Sequence, residues 1–370
     1  MRIVSVVGTR PQLIKAAALW PALRARHDEV FVDTGQHWDE PMAGAFFGEL
    51  GLPRPDHSLR IGGGTRAEQL GRMVPAIASL LEIDRPDAVL VYGDTNTTLA
   101  GALAAATSGV PVAHVEAGLR SFDRGMPEET NRVLTDHVAR WLFAPTAAAV
   151  SNLEAEGITD GVHRVGDVMQ DLAARLAPTL RDPAVLEPIA RRIGVPLVPG
   201  GYFFSTIHRA ENRQPEAMRA WASLLGAAAD DGRPVLLALH PGTRAAVEAA
   251  AIELPPGVFV APPQPYASTL ALELHAAAVL TDSGGVQREA AWMGVPCLVL
   301  RSSTEWVEAV ADSDGRMVVI GVDADRASAE LARLADPDDA PRIARERALA
   351  LDVTPAGAAD HIASVLELRA

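Results

Sequence analysis

Short apolar runs rich in Val and Ile alternate with longer stretches rich in Ala and Leu along the whole chain. In the first half the short runs are RIVSVV from Arg2, EVFVDTG from Glu29, VLVYG from Val89, VAHV from Val112, WLFAPT from Trp141 and HRVGD from His163. In the second half they are YFFSTIH from Tyr202, PVLLALH from Pro234, VFVAP from Val258, AVLTDSGG from Ala278 and PCLVL from Pro296. Most are apolar throughout, the signature of strands buried on both faces by flanking helices, and the strand-helix alternation argues for parallel pairing. At 370 residues the chain is long for one core. The pattern predicts an α/β protein of two doubly wound, Rossmann-like domains facing each other across a cleft. The first is expected over 1–166 and the second over 167–352, joined by a Pro-punctuated helical bridge near 168–199.

Acids follow two of the apolar runs directly. Asp94 comes after VLVYG, Glu116 after VAHV, and Glu128 follows Pro127 at the start of the next helical pattern. Side chains at the carboxyl ends of parallel strands face the crevice where ligands bind, so three carboxylates are expected to converge there. Each has a structural alternative: Asp94 as an N-cap, Glu116 as an acceptor for a loop amide, and Glu128 and Glu129 as partners of a helix dipole. Together they suit acid–base chemistry, because like charges in one crevice raise one another's pKa.

Other strand ends carry basic and polar groups. Gly8-Thr9-Arg10-Pro11 makes a strand-to-helix switch with Arg10 at its mouth and Lys15 one helical turn on, and it matches neither the dinucleotide nor the Walker pattern. Gln36-His37-Trp38-Asp39 ends the second run, and Gly62-Gly63-Gly64 precedes the next helix as either a connector or a loop over ligand. His208 and His240-Pro241 end two runs of the second half, and His208 is the natural proton carrier. In Thr281-Asp282-Ser283-Gly284-Gly285 the amides open a helix, a phosphate cradle, with Glu289 placed to accept hydrogen bonds from ribose hydroxyls.

Composition narrows the class. The apolar fraction of 48% is that of a globular protein, and the formal charge of -14 disfavours a nucleic-acid or anionic-membrane surface. Cys297 is the single cysteine, which excludes an internal disulfide and a multi-Cys metal site; within VPCLVL it reads as a core thiol. No metal and no cofactor are expected. The first residues are wrongly flanked for a signal peptide and no apolar run reaches spanning length, so a cytoplasmic location is expected.

The pieces GTRPQ with Lys15, TGQH, VYGDTNTTLA, HVEAGLRS, MPEETNR, TIHRAEN, His240-Pro241, TDSGGVQREA and STEWVEAV, in this order, closely resemble the non-hydrolysing UDP-N-acetylglucosamine 2-epimerases over nearly the whole chain. The resemblance implies a GT-B-type fold, a homodimer, and a final helix within 353–370 that packs back on the first domain. It places catalytic roles on Asp94, Glu116, Glu128 and His208. Nucleotide and substrate contacts fall on Arg10, Lys15, Arg132, His240, Ser283, Gly284, Gly285 and Glu289. Gln12 stands where many members have Glu and is similar to relatives acting on 2,3-diacetamido-glucuronic acid nucleotides, a branch in which STEWVE also occurs. Asp39 stands where allosterically activated members carry Gln.

The implied activity is conversion of UDP-GlcNAc to UDP-ManNAc by elimination of UDP and its re-addition, in the service of polysaccharide biosynthesis. The alternatives are epimerisation of the diacetamido-uronate nucleotide, a hydrolysing epimerase, a GT-B glycosyltransferase, and a catalytically silent nucleotide-sugar binder.

Overall fold

The computed structural model describes residues 1–36, 50–209, 211–229, 232–262, 264–335 and 356–367. They group into two compact units, Met1–Leu172 with Thr354–Ala370, and Ala173–Val353.

The first unit holds a sheet of β1 (Arg2–Val7), β2 (Asp28–Asp33), β3 (His57–Ser58), β4 (Ala88–Tyr92), β5 (Val112–Val115), β6 (Trp141–Ala144) and β7 (Val162–Arg164). Its order is β3-β2-β1-β4-β5-β6-β7 and every pairing is parallel. Around it run α1 (Arg10–Arg24), α2 (Arg66–Asp84), α3 (Asn96–Thr107), α4 (Pro127–Val138) and α5 (Ala147–Ala155). The apolar runs are explained by this layering: Val4, Val6, Val89 and Val91 pack with Met73, Ile77 and Leu81 of α2 and Ala100 and Ala104 of α3. Small residues let α3 lie close to the sheet. A Cβ on Gly101 would sit 2.9 Å from Val91 Cγ1 and 3.4 Å from Val6 Cβ.

Helix starts follow local chemistry. Thr65 and Glu68 form a capping box at α2, and Thr95 with Thr98 forms another at α3. The carbonyls of Gly62 and Gly63 accept from Arg72 Nη2 at 3.2 and 2.7 Å, so the glycine-rich stretch is tied to α2.

Helix α6 (Val168–Leu180) carries the chain into the second unit, followed by a 3-10 turn at Pro183–Val185 and α7 (Leu186–Ile193). The second sheet comprises β8 (Phe203–Ile207), β9 (Val235–Leu239), β10 (Val258–Ala261), β11 (Ala278–Thr281), β12 (Cys297–Val299) and β13 (Met317–Val319). Its order is β10-β9-β8-β11-β12-β13, again all parallel. Its helices are α8 (Pro215–Ala229), α9 (Pro241–Ala249), α10 (Tyr266–His275), α11 (Gly284–Trp292), α12 (Val307–Ala311) and α13 (Ala324–Ala335). Trp221, Leu224 and Leu225 of α8 fill the core against β8, β9 and β11.

The chain then returns to the first unit. Helix α14 (Ala358–Glu367) packs on α1, burying Ile362, Ala363 and Leu366. His27 Nε2 donates to the Ala363 carbonyl at 2.9 Å, and Arg26 Nη1 donates to Ser364 Oγ at 2.7 Å.

Strand order reverses beside the first strand of each sheet, between β1 and β4 and between β8 and β11. Those are the topological switch points at which doubly wound sheets receive ligands.

Candidate active site

Asp94 and Glu116 stand at the carboxyl ends of the adjacent strands β4 and β5. Thr95, not Asp94, is the N-cap of α3, which leaves the Asp94 carboxylate for other partners. It accepts a short hydrogen bond from Arg132 Nη2, and its backbone carbonyl accepts from Asn131 Nδ2 at 2.8 Å. Glu116 adopts a left-handed backbone at φ 73°, a costly conformation for a residue with a Cβ. Its Oε2 accepts a short hydrogen bond from Lys15 Nζ. Both cations are buried, Lys15 at 8% exposure and Arg132 at 6%, so each acid is clamped by an ion pair partly shielded from water.

Gly93 lies under this pair with φ 63°, and a Cβ there would meet Lys15 Nζ at 2.9 Å and Glu116 Oε2 at 3.2 Å. Lys15 and Glu116 also line a small cavity with Val115, Pro145 and Asp167.

Glu128 is half-buried at the second position of α4 and makes no ion pair among the described residues. Its neighbour Glu129 has the opposite character. Buried, it accepts from the Ser121 and Phe122 amides at 2.9 Å each, from Ser121 Oγ at 2.8 Å and from Arg132 Nη1 at 3.1 Å. Glu129 therefore holds the loop after β5 and steadies the arginine that clamps Asp94.

Arg10 opens α1 at the β1–β4 switch point. Gln12, 1% exposed, locks that point: its Oε1 accepts from the Gly8 amide at 2.9 Å, and its Nε2 donates to the Tyr92 carbonyl and Thr98 Oγ1 at 3.0 Å each. A Glu carboxylate could not donate to the Tyr92 carbonyl, which gives the amide at this position a structural reason.

Beneath the acids runs a buried ionic chain. His114, fully buried, lies 2.7 Å from Asp136 Oδ1 through Nδ1 and 2.7 Å from the Gly93 carbonyl through Nε2. Both ring nitrogens face acceptors, a pattern that a doubly protonated imidazole satisfies. Asp136 Oδ2 accepts from the Gly118 amide at 3.1 Å and from Arg120 Nη1 at 2.8 Å, and Arg120 makes a two-pronged pair with Glu156 at 2.7 Å. Burial pushes the Asp136 carboxyl up, but His114 and Arg120 together hold it below the ordinary aspartate value.

Gly118 shares this turn at φ 81°, and a Cβ would approach the Ala149 carbonyl oxygen to 2.3 Å. Gly118→Ala is expected to cost about 1–3 kcal/mol from backbone strain and clash, read as a lower urea midpoint.

In the second unit His208 follows β8 and Asp282 follows β11, the two strands of the switch point. His208 Nδ1 lies 2.9 Å from Asp282 Oδ1, which fixes the ring and turns Nε2 away from the acid. Asp282, with no exposure, also accepts from the His208 and Arg209 amides at 3.1 and 3.0 Å and from Asn212 Nδ2 at 2.8 Å. Burial raises its carboxyl, but His208 first and then these donors hold it below the ordinary value.

Ser283 caps α11, its Oγ accepting from the Val286 amide at 3.4 Å. A Cβ on Gly284 would meet Glu305 Oε1 at 2.9 Å and Trp306 Nε1 at 3.1 Å, so the STEW segment seals one side of this helix start, while a Cβ on Gly285 would make only an ordinary contact with Ser283 Oγ at 3.8 Å. His240 caps α9 at the end of β9, its Nδ1 accepting from the Gly242 amide at 3.1 Å. Glu289 is 3% exposed on α11.

A family model described as UDP-N-acetylglucosamine 2-epimerase matches residues 22–366. The chain belongs to the UDP-N-acetylglucosamine 2-epimerase family. This family member is 43% identical over 327 residues to the UDP-2,3-diacetamido-2,3-dideoxy-D-glucuronate 2-epimerase of Pseudomonas aeruginosa, spanning 87% of this chain and 88% of that one. It is 40% identical over 313 residues to the UDP-N-acetylglucosamine 2-epimerase of Methanococcus maripaludis, spanning 82% and 84%. The crystal structure of the Methanocaldococcus jannaschii UDP-GlcNAc 2-epimerase in complex with UDP-GlcNAc and UDP superposes with a TM-score of 0.87 at 33% identity over 100% of both chains. This epimerase-family chain thus has the GT-B-like α/β fold of an isomerase.

Within the epimerase-family chain, Asp94, Glu116, Lys15 and Arg132 are brought together in the first unit, and His208, Ser283 and Gly284 flank one switch point in the second. His37 and Asp39 lie outside the described residues. Sequence reasoning passed over Glu129, His114, Asp136 and Asp282 as functional supports. For Asp282 a signal existed, since it follows a strand directly, as Glu116 does and Asp94 does after one glycine. Among the described residues no His, Cys, Asp and Glu cluster has the makings of a metal site, and no described helix is long and apolar enough to cross a membrane.

Proposed function

We propose that the chain inverts C2 of a UDP-N-acetylhexosamine, converting UDP-GlcNAc to UDP-ManNAc without net hydrolysis. The observation that carries this reading is the pair of carboxylates at adjacent strand ends, each clamped by a buried cation, in a member of the epimerase family. The hydrogen on C2 is not acidic in the intact sugar. Cleavage of the C1–O bond makes it so: as UDP departs, one carboxylate takes the C2 proton and a C1–C2 double bond forms. Protonation of C2 from the opposite face and attack of the diphosphate oxygen on C1 complete the inversion.

In this reading two of Asp94, Glu116 and Glu128 exchange the C2 proton and the third orients them, with Lys15 and Arg132 holding their partners in place. Glu128 can meet a substrate proton without displacing a fixed cation. His208, aimed by Asp282, and Arg10 stabilise the departing diphosphate; the Ser283, Gly284 and Gly285 segment cradles it, with His240 as a further contact, and Glu289 takes the ribose. The domain over 1–166 carries the catalytic carboxylates, that over 167–352 binds UDP, and the helix within 353–370 returns to the first domain. The same reading makes the protein a cytoplasmic homodimer that supplies polysaccharide synthesis.

A second substrate is favoured by two observations, the 43% identity to the Pseudomonas aeruginosa diacetamido-glucuronate enzyme and the amide of Gln12 at the switch point. One incubation separates the readings. With UDP-GlcNAc in heavy water and no acceptor, deuterium should enter C2 while the UDP linkage survives. Stoichiometric free UDP would mark a hydrolysing epimerase, and no exchange at all a transferase or silent binder. Exchange confined to the diacetamido-uronate nucleotide would assign the chain to that branch.

A further inference from the structure

Glu273 lies on the inward face of α10 with no exposure at all, in a unit whose catalytic chemistry makes no use of it. Among the described residues no N–H or hydroxyl donates to either of its oxygens. Its carboxyl is instead in hydrogen-bond contact with that of Glu289 on α11. Two buried carboxylates cannot both keep their charge at such range, and a carboxyl-to-carboxyl hydrogen bond needs a proton on one of them.

Among the described residues no cation acts on Glu273 to resolve the conflict. The titratable groups facing Glu273 are Glu289 and the fully buried Cys297 thiol of β12, itself pushed up by burial and by Glu273. The basic residues of the packed helices are engaged elsewhere. Arg288 of α11 stacks 3.9 Å over the Trp306 ring, His275 of α10 donates to the Leu180 carbonyl at 2.9 Å, and Arg192 of α7 donates to Gln264 and Ser268 at 2.7 and 3.1 Å.

We propose that Glu273 is a neutral carboxylic acid that donates to Glu289 and so positions it as the single-charged acceptor for the ribose diol of the nucleoside diphosphate. The proposal rests on the assignment of Glu289 to the ribose. Burial first, and then the neighbouring Glu289, push the Glu273 carboxyl well above the ordinary glutamate range, the direction that favours its protonated form. The donated hydrogen bond orients one Glu289 oxygen, leaving the second to accept from the sugar.

The test uses the intact protein and UDP itself. Glu273→Gln supplies an amide N–H in place of the acid and should bind UDP within about twofold of the wild type, whereas Glu273→Ala should bind about tenfold more weakly, the scale of one charge-assisted hydrogen bond. Wild-type affinity should fall from neutral to alkaline pH as a second charge forms, and that dependence should be flat in E273Q. The infrared carbonyl band of a neutral carboxylic acid should be present at neutral pH in the wild type and absent in E273Q.

Each failure is distinguishable. Unchanged UDP affinity in Glu289→Gln would overturn the ribose assignment and this proposal with it. A weakened E289Q beside an E273A that binds normally, or a missing infrared band, would overturn the positioning role alone.

Discussion

Asp94→Asn, Glu116→Gln and Glu128→Gln should each give folded protein whose C2 exchange and turnover are lower by about 10²- to 10⁴-fold, the usual worth of a positioned acid or base. The substitutions are isosteric and neutral, so they remove proton-transfer capacity while leaving the hydrogen-bonding shape. Far-UV circular dichroism and UDP binding should stay close to wild type, since the nucleotide contacts assigned here lie mainly in the second unit. Deuterium incorporation at C2 separates chemistry from binding. Substantial turnover in all three would show that the carboxylates are not the proton carriers. Glu129→Gln offers a contrast: it weakens the anchorage of the Ser121–Phe122 amides and Arg132, so its defect should appear in thermal stability as well as in rate.

The largest stability effect is expected at Asp136. Removing its carboxylate, as in Asp136→Ala, leaves His114 and Arg120 buried with a missing counter-charge, and breaking a buried pair in this way costs about 3–5 kcal/mol. Through His114 the loss reaches the Gly93 carbonyl, and directly it reaches the Gly118 amide; both flank Glu116. Activity should therefore fall even where the variant still folds. The pH dependence has a definite sign. The folded-state pKa of Asp136 lies below that of the unfolded chain, so its stabilisation is present above the unfolded aspartate value and is lost as pH falls through the folded one. Acid unfolding monitored by tryptophan fluorescence should be less steep in Asp136→Asn than in the wild type.

Most of the architecture could be read from uniform apolar runs, because strands buried on both faces leave no alternation to obscure them. The short edge strands His57–Ser58 and Met317–Val319 could not, since they have only two or three residues and lack full burial on both faces. Acids that follow strands stood out for the same reason as the strands themselves. Asp136 gave no such sign: it sits inside the helical pattern TNRVLTDHV, where an acid usually faces water, and only the fold shows it turned onto His114. Glu128 and Glu129 are neighbours in sequence with opposite environments, and the helix rotation that separates them is set by Arg132 and the Ser121 loop. Glu273 in LALELH occupied a position that its apolar neighbours marked as core, and its charge was the anomaly.

Helix α14 has a consequence for how the molecule is made. The surface of α1 that receives Ile362, Ala363 and Leu366 is synthesised long before the helix that covers it. Chains normally mature segment by segment as they leave the ribosome, yet here the first unit stays unfinished until α14 emerges. A stop just before Ala358 would expose apolar surface on α1, and a nascent-chain protease assay should find the first unit vulnerable until α14 has emerged.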